Sequence, residues 1–512
     1  MTTPRRRSHP PRAVPPVPSD AEDPPAGIPC PERPRGRGGL VLALGLGAMV
    51  VSMMQTLMVP VLGIVQRDLH ASAADVSWLT TATLLSAAVC TPLLSRAGHR
   101  YGARPVLLAV LALTLAGTVL AALAESLPLL IAGRVLQGAA TAVFPLAQAV
   151  LRAELPAERL PAAMGTISGT LAFGTGLALL GAGLLTSGDA PDYHRVFWLA
   201  AAVSAVSLLA IAVLVPPSRP ASGGHTDWRC AAGLTVALVL LLLPLSRGTV
   251  WGWASGWTSG CLAASAVAAR FWVRVERAAP DPLVDVRILV HRPVLLANLA
   301  GLLLGFAMFS QFILVSALVQ IPPAAGYGFG ASVLRTSLEY LLPSSLASMA
   351  TARLAGVLGR RTGPRRTLAL GAVAGAAGFA LLAVSHGSSA AVIGSGLLVG
   401  IAIAFGFATL PAVLGAAVPP EHTGVANGVN SVARSVGSAM ASALVATLVA
   451  AGDPGRPPAE SRFTLCFALA GAALALIAVL ARFGMTPPRG DAGRGRVRGS
   501  ASRHGAEPAR TA

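Results

Sequence analysis

The chain has 512 residues, of which 54% are hydrophobic and 12% are charged, with a formal net charge of +18. Soluble domains carry roughly 25% charged residues, so this composition excludes an ordinary soluble enzyme, and its hydrophobicity excludes a fully disordered chain. A mean hydropathy of +0.68 indicates a protein that crosses a membrane many times.

The basic residues are all arginine, since the sequence contains no lysine. Without lysine there is neither a phosphate-binding loop of the G-x-x-x-x-G-K-[ST] type nor a Schiff-base nucleophile, which argues against ATP-driven pumping by this chain alone. The arginines cluster in the ends of the chain and in short loops, where they suit anionic lipid headgroups. We therefore expect the lipid bilayer, and no nucleic acid, as a partner.

Both ends are predicted to be disordered cytoplasmic tails. Residues 1–38 are rich in proline and arginine and lack the apolar core of a signal peptide, and residues 485–512 are similarly polar. Between them, a requirement of about 20 mainly apolar residues per span predicts fourteen spans. They are 40–66, 76–95, 106–124, 128–150, 163–186, 196–215, 229–246, 253–271, 294–319, 331–357, 367–385, 389–415, 429–450 and 463–481.

The distribution of arginine predicts the orientation of these spans. If the N-terminus is cytoplasmic, most loop arginines fall on the cytoplasmic side, as the positive-inside rule requires. Few then fall outside: Arg67, Arg195, Arg247, Arg456 and Arg462. Fourteen spans also keep the C-terminal arginines inside, so both termini are predicted to be cytoplasmic. The arginine-rich and alanine-rich usage suggests a bacterial genome, and hence the bacterial plasma membrane.

An internal repeat divides the spans into two halves. The pattern G-x-R-x-G-x-R follows the second span of each half, and it comprises Gly98, His99, Arg100, Gly102 and Arg104 in the first copy and Gly359, Arg361, Gly363 and Arg365 in the second. Parallel repeats of six spans are a transporter architecture with a substrate site between the halves. We expect halves at 39–215 and 294–484, separated by two inserted helices and a cytoplasmic loop at 216–293.

These patterns resemble the major facilitator superfamily, and more narrowly its drug:proton antiporters with fourteen spans. The glycine–arginine loop is similar to the signature between spans 2 and 3, and Arg134-Val135-Leu136-Gln137-Gly138 resembles the R-x-x-Q-G motif of span 4. The segment from Asn427 to Arg434 resembles span 13 of that group. The resemblance implies proton-coupled export, with the two repeated loops acting in gating. The aspartate usual in span 1 and the acid usual in the loop are absent.

Charged residues inside spans are expensive and therefore candidates for function. Arg134, with Gln137 one turn later, is expected either to act in proton coupling or the substrate path, or to cap backbone carbonyls. Glu339 lies four residues after Arg335, so the two can meet on one helix face. Glu339 is expected either to bind the transported proton or to form a structural ion pair. Arg434 is expected to pack or to reach the membrane surface.

Other polar residues and glycines complete the predicted site. The candidates for lining a substrate cavity are Gln55, Gln148, Asn298, Gln311 and Asn430. The glycines of span 5, among them Gly169, Gly174, Gly176 and Gly181, favour close helix packing. No metal site and no cofactor is expected, because the histidines fall in tails, loops or span ends and the five cysteines are scattered.

The sequence therefore predicts an all-α polytopic membrane protein of the major-facilitator type. The expected function is secondary active export of lipophilic, cationic or antibiotic-like compounds, by proton antiport with alternating access. A uniporter or a nutrient permease of the same fold is one alternative. A membrane-embedded lipid-modifying enzyme is another, although the sequence has no H-E-x-x-H or G-x-S-x-G motif.

Overall fold

The computed structural model describes residues 37–156, 159–187, 192–217, 228–278, 286–419, 423–450 and 458–484. Within these ranges the regular structure is helical and contains no strand, which confirms the all-α class. Both predicted tails fall almost entirely outside the described residues. So does the central loop between the inserted helices and the second half.

The first half is a bundle of helices joined by short connections. α1 ends at Thr56, earlier than the predicted span, because Pro60 lacks a backbone donor and its ring disfavours a continuous helix. A turn of 3₁₀-helix, Gly138–Ala142, separates α5 from α6. The helices are α1 (Arg37–Thr56), α2 (Leu62–Asp68), α3 (Ala73–Tyr101), α4 (Ala103–Ala122), α5 (Leu127–Gln137), α6 (Val143–Glu154), α7 (Leu160–Leu185) and α8 (His194–Leu214).

Two long helices and a short one precede the second half. They are α9 (Trp228–Trp251), α10 (Gly256–Ala278) and α11 (Val286–Val290). The second half begins at Arg292, and a π-helical segment, Thr336–Leu341, joins α13 to α14. Its helices are α12 (Arg292–Gln320), α13 (Val333–Arg335), α14 (Leu342–Thr362), α15 (Pro364–Ser385), α16 (Ser389–Ala417), α17 (Thr423–Ala450) and α18 (Glu460–Val479).

Twelve helical segments of the described residues are long and apolar enough to cross a membrane. The sequence prediction of fourteen spans is therefore not confirmed. The two predicted spans at 229–246 and 253–271 correspond to the helices α9 and α10, which are not among these twelve segments. α9 contains the apolar stretch Ala232–Leu245, and the last turns of α10 carry Arg270, Arg274, Glu276 and Arg277.

The repeated loops have the same backbone geometry in both halves. Gly102 has φ 94° and ψ 143°, and Gly363 has φ 90° and ψ 149°. A side chain disfavours a positive φ, so glycine allows one helix to end and the next to begin without a spacer. α3 and α4 are joined in this way at Gly102, as are α14 and α15 at Gly363. The end of the bundle that carries these loops is called the arginine-rich face below.

Buried apolar side chains form two large clusters. One contains residues of α1 to α8 only, and the other is built mainly from α12 to α18, with contributions from α9 and a few residues of the first half. The halves meet along two lines, because α7 packs against α14 and α3 packs against α17. α9 packs against both α3 and α17, so it contacts both halves.

Candidate functional site

A narrow cavity lies between the two halves. From the first half it is lined by α1, α6, α7 and the 3₁₀ turn before α6, and from the second half by α12, α14, α16 and α17. About 50 Å³ of the cavity lies far enough from every atom to hold the centre of a water molecule. Its walls are mostly apolar and interrupted by hydroxyl groups, and no acidic residue of the described chain belongs to its lining.

A second, wider cavity continues toward the arginine-rich face. It holds about 230 Å³ by the same measure, and it shares Ser168 and Phe407 with the first cavity. Phe144 of α6 meets Phe407 of α16 edge to face, with ring centroids 6.1 Å apart and planes at 86°. The two rings come from different halves, so their contact joins the halves where the two cavities adjoin at Phe407.

Arg134 lies outside this cavity and is 1% exposed. Its Nη2 donates to the Met54 carbonyl at 2.9 Å, and its Nε donates to the Leu79 carbonyl at 3.2 Å. Met54 is among the last four residues of α1, whose carbonyls a helix leaves without an intrahelical partner. The guanidinium therefore ties α5 to α1 and α3 by capping backbone carbonyls, and its role in proton coupling or the substrate path stays a prediction.

Gln137 completes the surroundings of Arg134. Its Oε1 accepts a hydrogen bond from Arg134 Nη1 at 2.6 Å, and its Nε2 donates to Thr118 Oγ1 at 3.2 Å. Arg134 thus donates to three oxygens of the protein. Each of them would be left without this donor if the arginine were removed.

Arg335 and Glu339 form an ion pair beyond the cavity lining. Arg335 Nε donates to Glu339 Oε2 at 2.6 Å, and the side chains are 50% and 34% exposed, respectively. The guanidinium also lies 5.9 Å from the centroid of the Tyr340 ring. The contact follows from the four-residue spacing, whether or not Glu339 exchanges a proton.

Arg434 is the charged residue that lines the first cavity, and the sequence analysis did not place it there. Its Nη2 donates to Ser431 Oγ at 3.2 Å, and its guanidinium carbon lies 4.6 Å from the centroid of the Phe407 ring. It forms no ion pair with a carboxylate of the described residues. Arg434 lies near the middle of α17, and its side chain lines the cavity between the halves rather than reaching toward the membrane surface.

The five polar candidates divide into two groups. Gln55 lines the first cavity and Gln148 lines the second. Asn298, Gln311 and Asn430 line neither. Asn430 Nδ2 donates to the Ala297 carbonyl at 2.9 Å and to Asn298 Oδ1 at 3.3 Å, so these two asparagines connect α12 to α17.

The loop residues are placed at the arginine-rich face. Arg104 Nη2 donates to the Ala212 carbonyl at 2.6 Å and so holds the start of α4 against α8. Gly359 lines the second cavity, and a Cβ on Gly98 would overlap the Leu146 side chain. Arg361 is exposed, whereas the side chain of His99 lies outside the described residues. Arg100 lies over the ring of Tyr101 at 5.2 Å, and Arg365 borders a further cavity at this face.

The glycines of α7 face both halves. A Cβ on Gly174 would lie 2.5 Å from the Met49 carbonyl oxygen of α1, so only glycine allows this approach. Gly181 faces Leu199 of α8 in the same way. Gly169 and Gly176 instead face α14 across the interface between the halves, where added Cβ atoms would make looser contacts, the closest at 3.9 Å and 3.2 Å.

Comparison with known families is consistent with this two-half architecture. The profile of the Major Facilitator Superfamily matches residues 44–354 and again 316–507. The chain belongs to the major facilitator superfamily. This family and fold are those of transporters rather than of enzymes, and they imply a small-molecule substrate and a membrane-embedded protein.

Two bacterial relatives of this major facilitator have names that refer to resistance. It is 27% identical over 397 residues to the tetracenomycin C resistance and export protein of Streptomyces glaucescens, a match that covers 77% of this chain and 72% of the relative. It is also 27% identical over 363 residues to the multidrug resistance protein B homolog of Mycobacterium tuberculosis. That match covers 67% of this chain and 63% of the relative, so it spans less than two thirds of the relative's length.

A solved structure supports the fold. The human organic anion transporter MFSD10 (TETRAN) aligns with a TM-score of 0.59 over 88% of this chain and 100% of its own, at 16% sequence identity. At that identity the likeness establishes the fold of this major facilitator but gives no information about its substrate.

Proposed function

We propose that this major facilitator exports lipophilic, antibiotic-like small molecules by alternating access of its two halves, in exchange for protons. The observation that supports the proposal is the cavity between the halves, whose walls are apolar with hydroxyl groups. A second, wider cavity adjoins it on the side of the arginine-rich face. Pockets of this composition suit bulky lipophilic ligands. The printed names of the two resistance proteins agree with export as the direction.

Alternating access requires two bodies that separate at one face while they close at the other. The Phe144–Phe407 contact joins the halves beside the cavity, and Gly183 of α7 meets Leu334 and Ser337 at the opposite end. Opening of one of these contacts while the other stays closed would expose the cavity to one side at a time. Rocking of this kind is the general mode of repeat transporters.

Proton coupling is the second part of the proposal, and Glu339 is its candidate carboxylate. Among the acids in the twelve described spans, Glu154 and Glu460 are terminal residues, whereas Glu339 lies inside its span. The adjacent Arg335 keeps a counter-charge within 2.6 Å of the carboxylate. Proton uptake by Glu339 would release Arg335, and this local change could be coupled to movement of α14 against α7.

Everted membrane vesicles test export and coupling together. Vesicles that contain this protein are energised to an acid interior, and a pH-sensitive dye follows proton release when lipophilic antibiotics and cations are added. Release that depends on the protein supports antiport. Substrate uptake without proton release would replace antiport by uniport or by another coupling ion.

A pair of variants separates a proton role of Glu339 from a structural one. Both Glu339→Gln and Arg335→Gln remove the ion pair, but only the second keeps the carboxylate. If Glu339 carries the proton, Glu339→Gln abolishes substrate-evoked release while Arg335→Gln retains it. Equal loss in both variants assigns the pair a structural role, and unchanged release in Glu339→Gln excludes Glu339 from coupling.

We also propose that α9 and α10 cross the membrane, which gives fourteen spans with both termini in the cytoplasm. Helices of 24 and 23 residues are long enough to span a bilayer, and α10 exposes the apolar side chains of Trp257, Val267 and Phe271. Cysteines introduced singly at Ser255 and in the loop 279–285 of a cysteine-free variant test this arrangement. Labelling of the two sites from opposite sides of intact cells supports two spans, and labelling from one side excludes them.

A further inference from the structure

Charge in the two connected cavities has one sign. Arg434 is the charged residue in the lining of the first cavity, and Arg152 and Arg360 are those in the lining of the second. Among the residues that the structure describes, no aspartate or glutamate lines either cavity. The charged side chains in the two linings are therefore all arginines.

The guanidinium of Arg434 has hydrogen-bonding capacity left over. Arginine has five N–H donors, and the described contacts of Arg434 are one serine hydroxyl and the face of the Phe407 ring. A buried cation without a carboxylate is unfavourable, so an anion that enters the cavity would be drawn to this group. Arg134 differs because all three of its guanidinium nitrogens donate to protein oxygens.

Two hydroxyl groups in the same lining provide an independent indication of a polar ligand. Ser344 is 1% exposed and Ser345 is 4% exposed. The Oγ atoms of both have no hydrogen-bond partner among the described residues. Such buried hydroxyls can donate to, or accept from, a bound molecule.

The remaining walls are suited to a flat apolar body. Phe144, Phe312 and Phe407 contribute aromatic rings to the first cavity, and Met308 contributes an adaptable thioether side chain. Ring faces and a narrow cross-section favour planar aromatic ligands over branched aliphatic ones. The Phe407 ring links the two parts of the site, because it contacts both Arg434 and Phe144.

We infer that the first cavity binds planar aromatic anions, compounds that carry an ionised carboxylate or phenol, with Arg434 as the anion contact. Ser344 and Ser345 supply hydrogen bonds and the phenylalanines supply the apolar walls. This inference rests on the proposed transport function and specifies the substrate class of the same site. It replaces the cationic substrates expected from the sequence by anionic ones.

Three fluorescent probes of similar shape test the charge preference. 9-Anthracenecarboxylate, 9-anthracenemethanol and 9-(aminomethyl)anthracene are anionic, neutral and cationic, and their binding to purified full-length protein is followed by fluorescence anisotropy. We expect the carboxylate to bind about tenfold more tightly than the alcohol, and the amine to bind most weakly. Equal or tighter binding of the amine would overturn the inference.

Variants assign the preference to Arg434. In Arg434→Gln we expect the affinity for the carboxylate to fall about tenfold while that for the alcohol stays near the wild-type value. Arg67→Gln removes the same charge from an exposed position that lines neither cavity, and it should leave both affinities unchanged. Ser345→Ala is a milder variant for the case in which Arg434→Gln fails to fold, and it should weaken the carboxylate more than the alcohol. A carboxylate preference that survives in Arg434→Gln, or in Ser345→Ala where the first variant does not fold, contradicts the assignment.

The binding assay tests the anion site and the vesicle assay tests transport, so each claim can fail without the other. A protein that prefers the anion but shows no transport in vesicles would contradict the proposed function and keep the binding site. A protein that exchanges cations for protons and shows no preference for the carboxylate would keep the proposed function and contradict this inference.

Discussion

Arg134 and Arg434 are both arginines within membrane spans, one in each half, and their surroundings differ sharply. Arg134 donates to two backbone carbonyls and the Gln137 side chain, whereas Arg434 contacts one serine hydroxyl and one aromatic ring. The same residue type thus makes three hydrogen bonds to the protein in one place, whereas in the other it makes one and lines a cavity. A charged residue in a span is therefore not by itself evidence of a ligand contact, because protein atoms can be its partners.

The difference arises from where each helix ends. Arg134 lies in the last turn of α5, next to the end of α1, where free carbonyls need a donor. Arg434 lies in the middle of α17, where backbone carbonyls are already paired within helices. Gly305 of α12 faces the Arg434 backbone so closely that a Cβ there would overlap it, which lets the helices approach while the arginine side chain turns into the cavity.

Replacement of each arginine by methionine is the strongest test of this contrast. Arg134→Met leaves the Met54 carbonyl and Gln137 Oε1 without this donor, whereas the Leu79 carbonyl still accepts from Thr83 Oγ1. An unsatisfied buried group costs about 1–3 kcal/mol, so we expect a loss of about 2–6 kcal/mol. Arg434→Met should be much closer to neutral for stability. Unfolding in detergent, followed by tryptophan fluorescence, measures both. Equal destabilisation by the two variants would remove the distinction.

Two buried glutamines provide the next test. Gln137 bonds to Arg134 and Thr118, so Gln137→Leu should lower the free energy of unfolding by about 1–3 kcal/mol. Gln148 lines the second cavity, and its Oε1 has no partner among the described residues, so Gln148→Leu serves as the matched control. We expect the control to unfold at nearly the wild-type temperature. A larger destabilisation by Gln148→Leu than by Gln137→Leu would contradict the structural role assigned to Gln137.

The contact between Arg434 and Phe407 can be measured by a double-mutant cycle. Arg434→Met and Phe407→Leu should be non-additive in unfolding by about 0.5–1 kcal/mol, the usual range of a cation–π contact. Arg134→Met and Phe407→Leu do not share a contact, and their effects should add. Additivity in the first cycle would show that the ring does not hold the guanidinium.

The smallest effect on stability is expected for the exposed ion pairs of Asp192 with His194 and Arg195, which serve as a comparison for the buried arginines. Partial desolvation raises the pKa of the Asp192 carboxyl, but hydrogen bonds from His194 and the charges of His194 and Arg195 outweigh it, so the pKa lies below its usual value. The stabilisation is therefore present above the unfolded pKa of about 3.9 and is lost as pH falls through the folded value.

Asp192→Asn should accordingly lower the unfolding temperature slightly at pH 7. The gap to wild type should narrow as pH approaches 4 and close below the folded pKa of Asp192. Thermal unfolding at a series of pH values tests this. A gap that widens toward acid pH would show that the carboxyl is not stabilised by its neighbours.

Local chemistry made part of this molecule predictable from its sequence. Apolar runs predicted the helical class, and the repeated glycines predicted matching loops, where Gly102 and Gly363 share a positive φ. The spacings of Arg134 with Gln137 and of Arg335 with Glu339 bring each pair into contact, because helix geometry alone sets those distances.

Tertiary packing determined what the sequence could not predict. Hydropathy does not reveal which face of α17 is turned to the other half, so Arg434 was expected to pack or to reach the surface. Gln55 and Asn430 looked equivalent as polar residues in spans, yet Gln55 lines the cavity and Asn430 bonds to α12. The number of spans also depends on α9 and α10, two long helices that are not among the twelve apolar segments of the described residues.

The single positive charge in the first cavity also determines how membrane voltage would act on the transport cycle. With a monovalent anion bound, the cavity is electrically neutral, whereas the empty protein presents Arg434 alone. Moving one charge across 100 mV changes the free energy by about 2.3 kcal/mol. An interior-negative membrane would therefore act mainly on the return of the empty carrier and draw its site back toward the cytoplasm, so that voltage itself could drive export of an anion.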